Sequence, residues 1–208
     1  MPEQDRITRD KILDAALALS DENGVEAVSM RAVADRVGVT PMALYPHIGS
    51  KAALLDGIVD RMLGEFLPSA LEPVMDWPDR LRAVGAGARE LARRHPAGFT
   101  LLFARPAVTE DAVGVVDLIY LTLLDAGVPE AHVPRLERLF TTFCLGYAMS
   151  EVNGRFGAAT TYTRGQRGHG RTPGHERLAA TLAEPVDWDD DYDTDIEDLI
   201  ALVRRSAA

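Results

Sequence analysis

The chain has 208 residues, with 22 Lys and Arg against 32 Asp and Glu, a formal charge of −10 and 47% hydrophobic residues. This is globular composition with ample length for a core in one or two domains, and it excludes extended disorder, collagen and coiled-coil fibre. The single cysteine, Cys144, excludes an internal disulfide framework and Cys-x-x-Cys metal knuckles, and the acid excess taken at face value argues against nucleic acid as a partner. Met1 to Arg9 is charged and polar with no apolar run behind it, unlike a signal peptide. No apolar stretch approaches the roughly 20 residues of a membrane span. The expectation is a cytoplasmic globular protein with no membrane contact.

Apolar spacing is helical almost throughout, which predicts an all-α fold. The first helix opens near Thr8, with Asp10 in its first turn, a stripe of Ile12, Ala15, Ala16 and Leu19, and Gly24 as its stop. Ser29 caps a short helix carrying Val33 and Val37 and closed by Gly38. Thr40-Pro41 reads as a cap with proline at the first helical position, and Pro46 and Gly49 confine that helix to one or two turns. Ser50 caps a longer helix through Leu54, Leu55, Ile58, Val59, Met62 and Phe66, ended by Pro68.

A domain break is placed near Pro68–Pro73. Asp76 and Asp79 bracket the next start, with Leu81, Val84, Ala88 and Leu91 on one face and a stop at His95-Pro96. Gly85 and Gly87 inside that helix suggest a kink or a close approach, by another backbone or a ligand. A short apolar piece spans Phe99 to Ala104. Thr109 caps a helix through Val113, Val116, Tyr120, Leu123 and Leu124, stopped by Gly127. The longest helix runs from Glu130 or Pro134 to about Arg155, with Leu136, Leu139, Phe140, Phe143 and Tyr147 in register.

Residues 157–174 are glycine-rich and read as a loop. His169, His175 and Glu176 lie in or beside it and read as exposed polar groups more than as metal ligands. Leu178 and Leu182 suggest a short helix, and Asp193-Thr194 caps a last one with Ile196, Leu199, Ile200 and Val203. Glu184 to Asp198 holds nine acids and no base, read as a solvated, repelling segment. Cys144, mid-helix beside Phe143, reads as a buried structural thiol.

The informative stretch is 29–48. Two short helices joined at Gly38-Val39 have helix-turn-helix spacing, in which the second helix enters a major groove. Leu44 would face the core, while Thr40, Pro41, Met42, Ala43, Tyr45 and His47 face outward. That apolar and aromatic outward set suits thymine methyls, sugars and backbone. The helix N-terminus would also aim free N–H groups at phosphate, and Lys51 reaches phosphate from the flank. Three short helices with glycine turns could equally make a small bundle with no DNA role.

Residues 8–67 resemble the amino-terminal domain of the tetracycline-repressor (TetR) family of bacterial regulators. The run that carries the likeness is Ile12-Leu13-Asp14-Ala15-Ala16 with Gly24, then Ser29-Met30-Arg31-Ala32-Val33-Ala34 and Gly38-Val39. It continues as Ala43-Leu44-Tyr45, His47, Lys51 and Ala53-Leu54-Leu55. A weaker likeness persists through Arg93-Arg94-His95-Pro96, Leu124-Asp125-Ala126-Gly127 and Gly146-Tyr147-Ala148. The resemblance implies a helix-turn-helix domain at 1–51 joined to a larger helical effector-binding and dimerisation domain at 52–208, with 52–67 as connecting helix.

By position, the resemblance brings Ser29, Met30 and Arg31 to the DNA, with Arg31 as the guanine contact. Pro41, Met42 and Ala43 lie against bases, and Tyr45, His47 and Lys51 fix phosphates. Pro46 departs from the aromatic or polar residue common in the family and offers shape with no hydrogen bond, which shifts weight to indirect readout. Residues 1–51 carry six bases against eight acids, so binding must rest on placement; Arg6, Arg9, Arg31 and Lys51 could reach the backbone. The carboxy-terminal domain would enclose a small-molecule pocket. Its candidate lining is Met62, Phe66, His95, Phe99, Leu102, Phe103, Tyr120, Phe140, Phe143 and Tyr147, and helices at 134–155 and 194–205 would pair a homodimer. A buried Tyr147 hydroxyl or His95 imidazole needs a partner that a ligand could supply. His95 before Pro96 reads equally as a helix cap.

No catalytic motif and no cofactor motif is present. The reading is a homodimeric DNA-binding regulator, released as a repressor from a palindromic operator by a small molecule. The alternative is an all-α small-molecule-binding protein or enzyme whose helix-turn-helix makes only protein contacts.

Overall fold

The computed structural model describes residues 7–70, 75–105, 110–156 and 173–207. They are helical, in the order α1 (Arg9–Asn23), α2 (Met30–Val37), α3 (Pro41–Ile48), α4 (Lys51–Ala70), α5 (Trp77–Arg94), α6 (Pro96–Phe99), α7 (Leu101–Ala104) and α8 (Glu110–Asp125). Then follow α9 (Val133–Val152), α10 (Pro173–Arg177), α11 (Ala179–Leu182) and α12 (Trp188–Ala207). Two compact units result, Met1–Thr122 and Leu123–Ala208.

In the first unit, the Thr8 hydroxyl caps α1 by accepting from the Lys11 amide at 3.3 Å. The helix buries Ile12, Leu13, Ala16 and Leu17. Against them lie Val28, Val33 and Ala34 from α2 and its approach, Leu44 and Ile48 from α3, and Leu54, Ile58 and Met62 from α4. Burying each large aliphatic side chain contributes about 1.5–3 kcal/mol, and this shared core fixes the three short helices that could not hold alone. α4 packs on both α1 and α5, so the head is continuous with the helices behind it. The expected caps at Ser29, Ser50 and Asp76 all form, accepting from the amides of Ala32, Ala53 and Asp79 at 3.1 Å each.

Three elements differ from expectation. α4 continues to Ala70, past Pro68. On α8 the buried set is Leu118, Ile119, Thr122 and Leu123, while Val113 and Leu124 lie exposed. The last helix starts at Trp188, six residues before Thr194, because Asp187 caps it by accepting from the amides of Asp189 and Asp190 at 3.1 and 3.2 Å. Part of the expected break at Pro68–Pro73, Thr109, Arg6, His169 and most of the glycine-rich stretch lie outside the described residues. Pro173 and Gly174, expected in that loop, open α10.

In the second unit α9 buries Val133, Leu136, Phe140, Cys144 and Ala148, and α12 buries Tyr192, Ile196, Ile200 and Val203. Burial pushes the Cys144 thiol up to about 12. This is the inert interior thiol expected of it. Among the described residues no helix is long and apolar enough to cross a membrane.

Candidate nucleic-acid interface

The site is built by a tight α2–α3 turn. Gly38 adopts φ 80°, ψ 33°, the left-handed conformation that costs an L side chain about 1–2 kcal/mol. Its amide donates to Ala34 O at 2.9 Å and the Val39 amide to the same oxygen at 3.0 Å, a Schellman closure that sends the chain straight into α3. Behind the turn, Arg36 holds Glu22 of α1 through two hydrogen bonds at 2.6 and 2.5 Å. The hydrogen bond to Arg36 holds the Glu22 carboxyl below its ordinary value and raises the guanidinium.

α3 presents the surface its sequence promised. Leu44 and Ile48 are buried, Met42 is 73% and Tyr45 43% exposed, Thr40 and His47 are exposed, and Pro41 and Ala43 are half-buried at the base. Arg31 leaves α2 with a side chain 86% exposed, touching Asp35 only at 4.0 Å, so its guanidinium is free to fork onto two acceptors. Ser29 is half-buried, its hydroxyl accepting from Ala32, which leaves its proton available to donate. Lys51 is exposed at the start of α4.

Two expectations need correction. The Met30 side chain is turned into the core, where it was expected at the surface with Ser29 and Arg31. The α3 N-terminus is also a leaner anion cradle than its position suggests. Pro41 has no N–H, the Ala43 amide already donates to Thr40 O at 2.9 Å, and the Thr40 side chain caps nothing.

The expected effector residues divide between the two units. Phe66 is buried on α4 and lines a cavity of about 50 Å³ with Glu65, Gly87, Glu90, Leu91 and Arg94. A Cβ on Gly87 would run into the Phe66 ring, so the close approach at this glycine is to a side chain, where another backbone or a ligand was expected. Phe99 is fully buried and meets Phe103 edge-on at 6.4 Å, but Phe103 is 55% exposed. Leu102 and Tyr120 are half-buried. His95 caps the end of α5, the alternative expected of it, and its buried imidazole takes partners from the chain itself, Asp21 at 2.8 Å and Glu65 at 3.4 Å.

In the second unit Phe140 is core. Phe143 and Tyr147 pack on Tyr192 at 5.9 and 4.7 Å, and Tyr147 also meets Phe156 at 4.7 Å. Phe156 in turn stacks on Trp188 at 4.7 Å, and the Tyr147 hydroxyl donates to Trp188 O at 2.8 Å. Aromatic neighbours from α12 and a main-chain carbonyl thus meet the needs that a ligand was expected to meet.

Residues 12–58 match the family model of bacterial regulatory proteins of the tetR family, and residues 81–165 that of the tetracyclin repressor-like C-terminal domain. Over 205 residues the chain is 30% identical to an HTH-type transcriptional regulator of Saccharopolyspora erythraea, covering 97% of this chain and 86% of that protein. The chain belongs to the tetR family. It is a helix-turn-helix transcriptional regulator, and α2, the turn and α3 lie within the stretch matched by the amino-terminal family model.

A second relative of this TetR-family chain is the transcriptional repressor DrrR1 of Streptomyces coeruleorubidus, 26% identical over 146 residues that cover 70% of this chain and 54% of that one. Its fold is that of ActR from Streptomyces coelicolor, solved in complex with actinorhodin. There the TM-score is 0.80 at 20% identity, with 98% of this chain and 99% of ActR covered. Sequence reasoning missed Trp188 and Tyr192 in the aromatic cluster. Their four-residue spacing on one helix face was a usable signal, hidden by reading the surrounding aspartates as an unstructured segment.

Proposed function

We propose that the protein is a homodimeric repressor in the cytoplasm that leaves a palindromic DNA operator when a small molecule binds its carboxy-terminal domain, with no catalytic step of its own. The observation that carries this reading is the outward face of α3 with Arg31 beside it. An exposed Met42 and Tyr45 on α3 and an 86% exposed Arg31 guanidinium on α2, paired only at 4.0 Å, suit a major groove. Arg31 reads a guanine; Met42, with Pro41 and Ala43 at its base, lies against thymine methyls and sugars. Ser29, Thr40, Tyr45, His47 and Lys51 hold phosphates.

The repressor and effector parts rest on relatives. DrrR1 is named a repressor, and ActR is seen holding actinorhodin. For the effector we assign the cavity at Phe66, Gly87 and Leu91 as the starting point. Its roughly 50 Å³ admits little more than water, so a ligand must widen it by turning the Phe66 ring. Phe66 and Leu91 give that cavity an apolar wall, and Glu65, Glu90 and Arg94 give it a charged one, which favours a compound with both apolar and polar groups.

Selection of bound sequences from random double-stranded DNA tests the reading. The expected product is a palindrome whose half-sites are about 10 base pairs apart or a multiple of that. Arg31→Ala should bind that product about 5- to 150-fold more weakly for each half-site, one bidentate contact being lost per head, with unchanged melting. Recovery of random sequence, or an Arg31→Ala protein that binds as the parent does, would overturn it.

A further inference from the structure

We propose that His95 is a positioning residue for DNA binding: it locks the angle of the reading head on α4 and α6, and so the spacing at which two heads meet the halves of an operator. This rests on the reading of the chain as a dimeric operator-binding protein.

The backbone places the ring at a fixed bend. The His95 amide donates to Leu91 O at 2.9 Å, closing α5, and its carbonyl accepts from the Phe99 amide at 2.8 Å, opening α6. Pro96 disfavours helical geometry at the residue before it, and His95 takes φ −128°, ψ 59°. The ring is therefore carried by the α5–α6 junction. From there Nδ1 reaches Asp21 Oδ2, in the last turns of α1, at 2.8 Å. A carboxylate can only accept, so Nδ1 carries the proton and donates. On its other side Nε2 lies 3.4 Å from Glu65 Oε2 of α4, an oxygen that also accepts from Arg94 Nη1 at 3.1 Å. One buried side chain thus joins α1, α4 and the α5–α6 junction.

α6 itself has no room to slide. A Cβ on Gly98 would stand 3.0 Å from Met62 Sδ of α4 and 3.7 Å from Leu17 Cδ1 of α1, and Phe99 is fully buried. The neighbouring ion pairs do a different job. Arg61 with Asp14 at 2.6 Å and Arg9 with Asp60 at 3.8 Å tie α1 to α4, and Arg105 with Asp56 and Ala52 O ties α4 to the end of α7. Their side chains are 19–53% exposed, whereas that of His95 is 9% exposed, where a hydrogen bond to a charged group is least weakened by water. Because α1 packs on α2 and α3, a change in how His95 holds Asp21 is passed to the reading helix.

The test uses the full chain and the selected operator, remade with one base pair inserted or removed between half-sites. The parent should lose at least about tenfold in affinity on either change. His95→Ala and Asp21→Ala should bind all three spacings within about threefold of one another, and combining them should add nothing. His95→Asn, whose amide nitrogen falls near the Nδ1 position, should keep the parent's discrimination. Asp21 is more exposed than His95, so Asp21→Ala keeps the test readable where His95→Ala does not fold. Spacing discrimination retained in the variants, or an equal loss at every spacing with a lower melting temperature, would overturn the proposal. A parent that selects no DNA overturns the operator reading itself, and the proposal with it.

Discussion

At the scale of single residues, the useful distinction is between side chains whose needs the fold meets and those it leaves open. The His95 imidazole and Tyr147 hydroxyl were expected to await a ligand, and each has a partner within the chain at 2.8 Å. Neither partner was legible in sequence. Asp21 lies 74 positions from His95 and the Trp188 carbonyl 41 from Tyr147, and nothing local marks such pairs. Arg31 was singled out through the family resemblance and Lys51 by its place in the first turn of α4, and both lie exposed. The Lys51 contact should be to phosphate. Lys51→Ala should therefore weaken binding to all DNA sequences alike and flatten the salt slope by about one for each head, about two for the dimer, in contrast to the sequence-specific loss in Arg31→Ala. A Lys51→Ala protein with parental slope would remove Lys51 from the interface. For Cys144, with its thiol pushed up to about 12, labelling by a thiol reagent at pH 8 should wait for unfolding. Rapid labelling of the folded protein would show the thiol to be accessible.

At the scale of elements, sequence pattern succeeded where cap, apolar stripe and stop agreed, as in α2 and α5. At α12 it found the stripe of Ile196, Ile200 and Val203 but set the start six residues late, because nine acids among fifteen residues read as a solvated, repelling segment. Asp is a poor residue inside a helix but a good one in the first turn, where the dipole is positive. Asp189, Asp190 and Asp191 occupy that turn, and Arg204 and Arg205 the last. The acidity still has a cost further in. Desolvation, and then Asp191 and Asp198, raise the Asp195 carboxyl above its ordinary value. An acid raised in the folded state binds its proton more tightly there, so folding is penalised once pH rises above the unfolded value, and the penalty is complete above the folded one. Asp195→Asn should therefore raise the melting temperature at pH 7 and change it little near pH 3. An unchanged or lower melting temperature at pH 7 would contradict this electrostatic account of α12.

At the scale of the whole molecule, a charge of −10 first looks like evidence against nucleic acid. The acids of Glu184–Asp198 account for nine of those charges and sit in the second unit, apart in sequence from the head. The head is still slightly acidic, Arg36 is spent on Glu22, and the α3 N-terminus has few amides to offer. Operator binding must then come from a few well-placed cations, with weak attraction to other DNA. Counting Arg6, Arg9, Arg31 and Lys51 in each of two heads gives the expected strength of that dependence. The decisive measurement is the affinity for the selected operator as a function of salt. The account predicts a log–log slope on the order of −5 to −7, and a flat titration would contradict it.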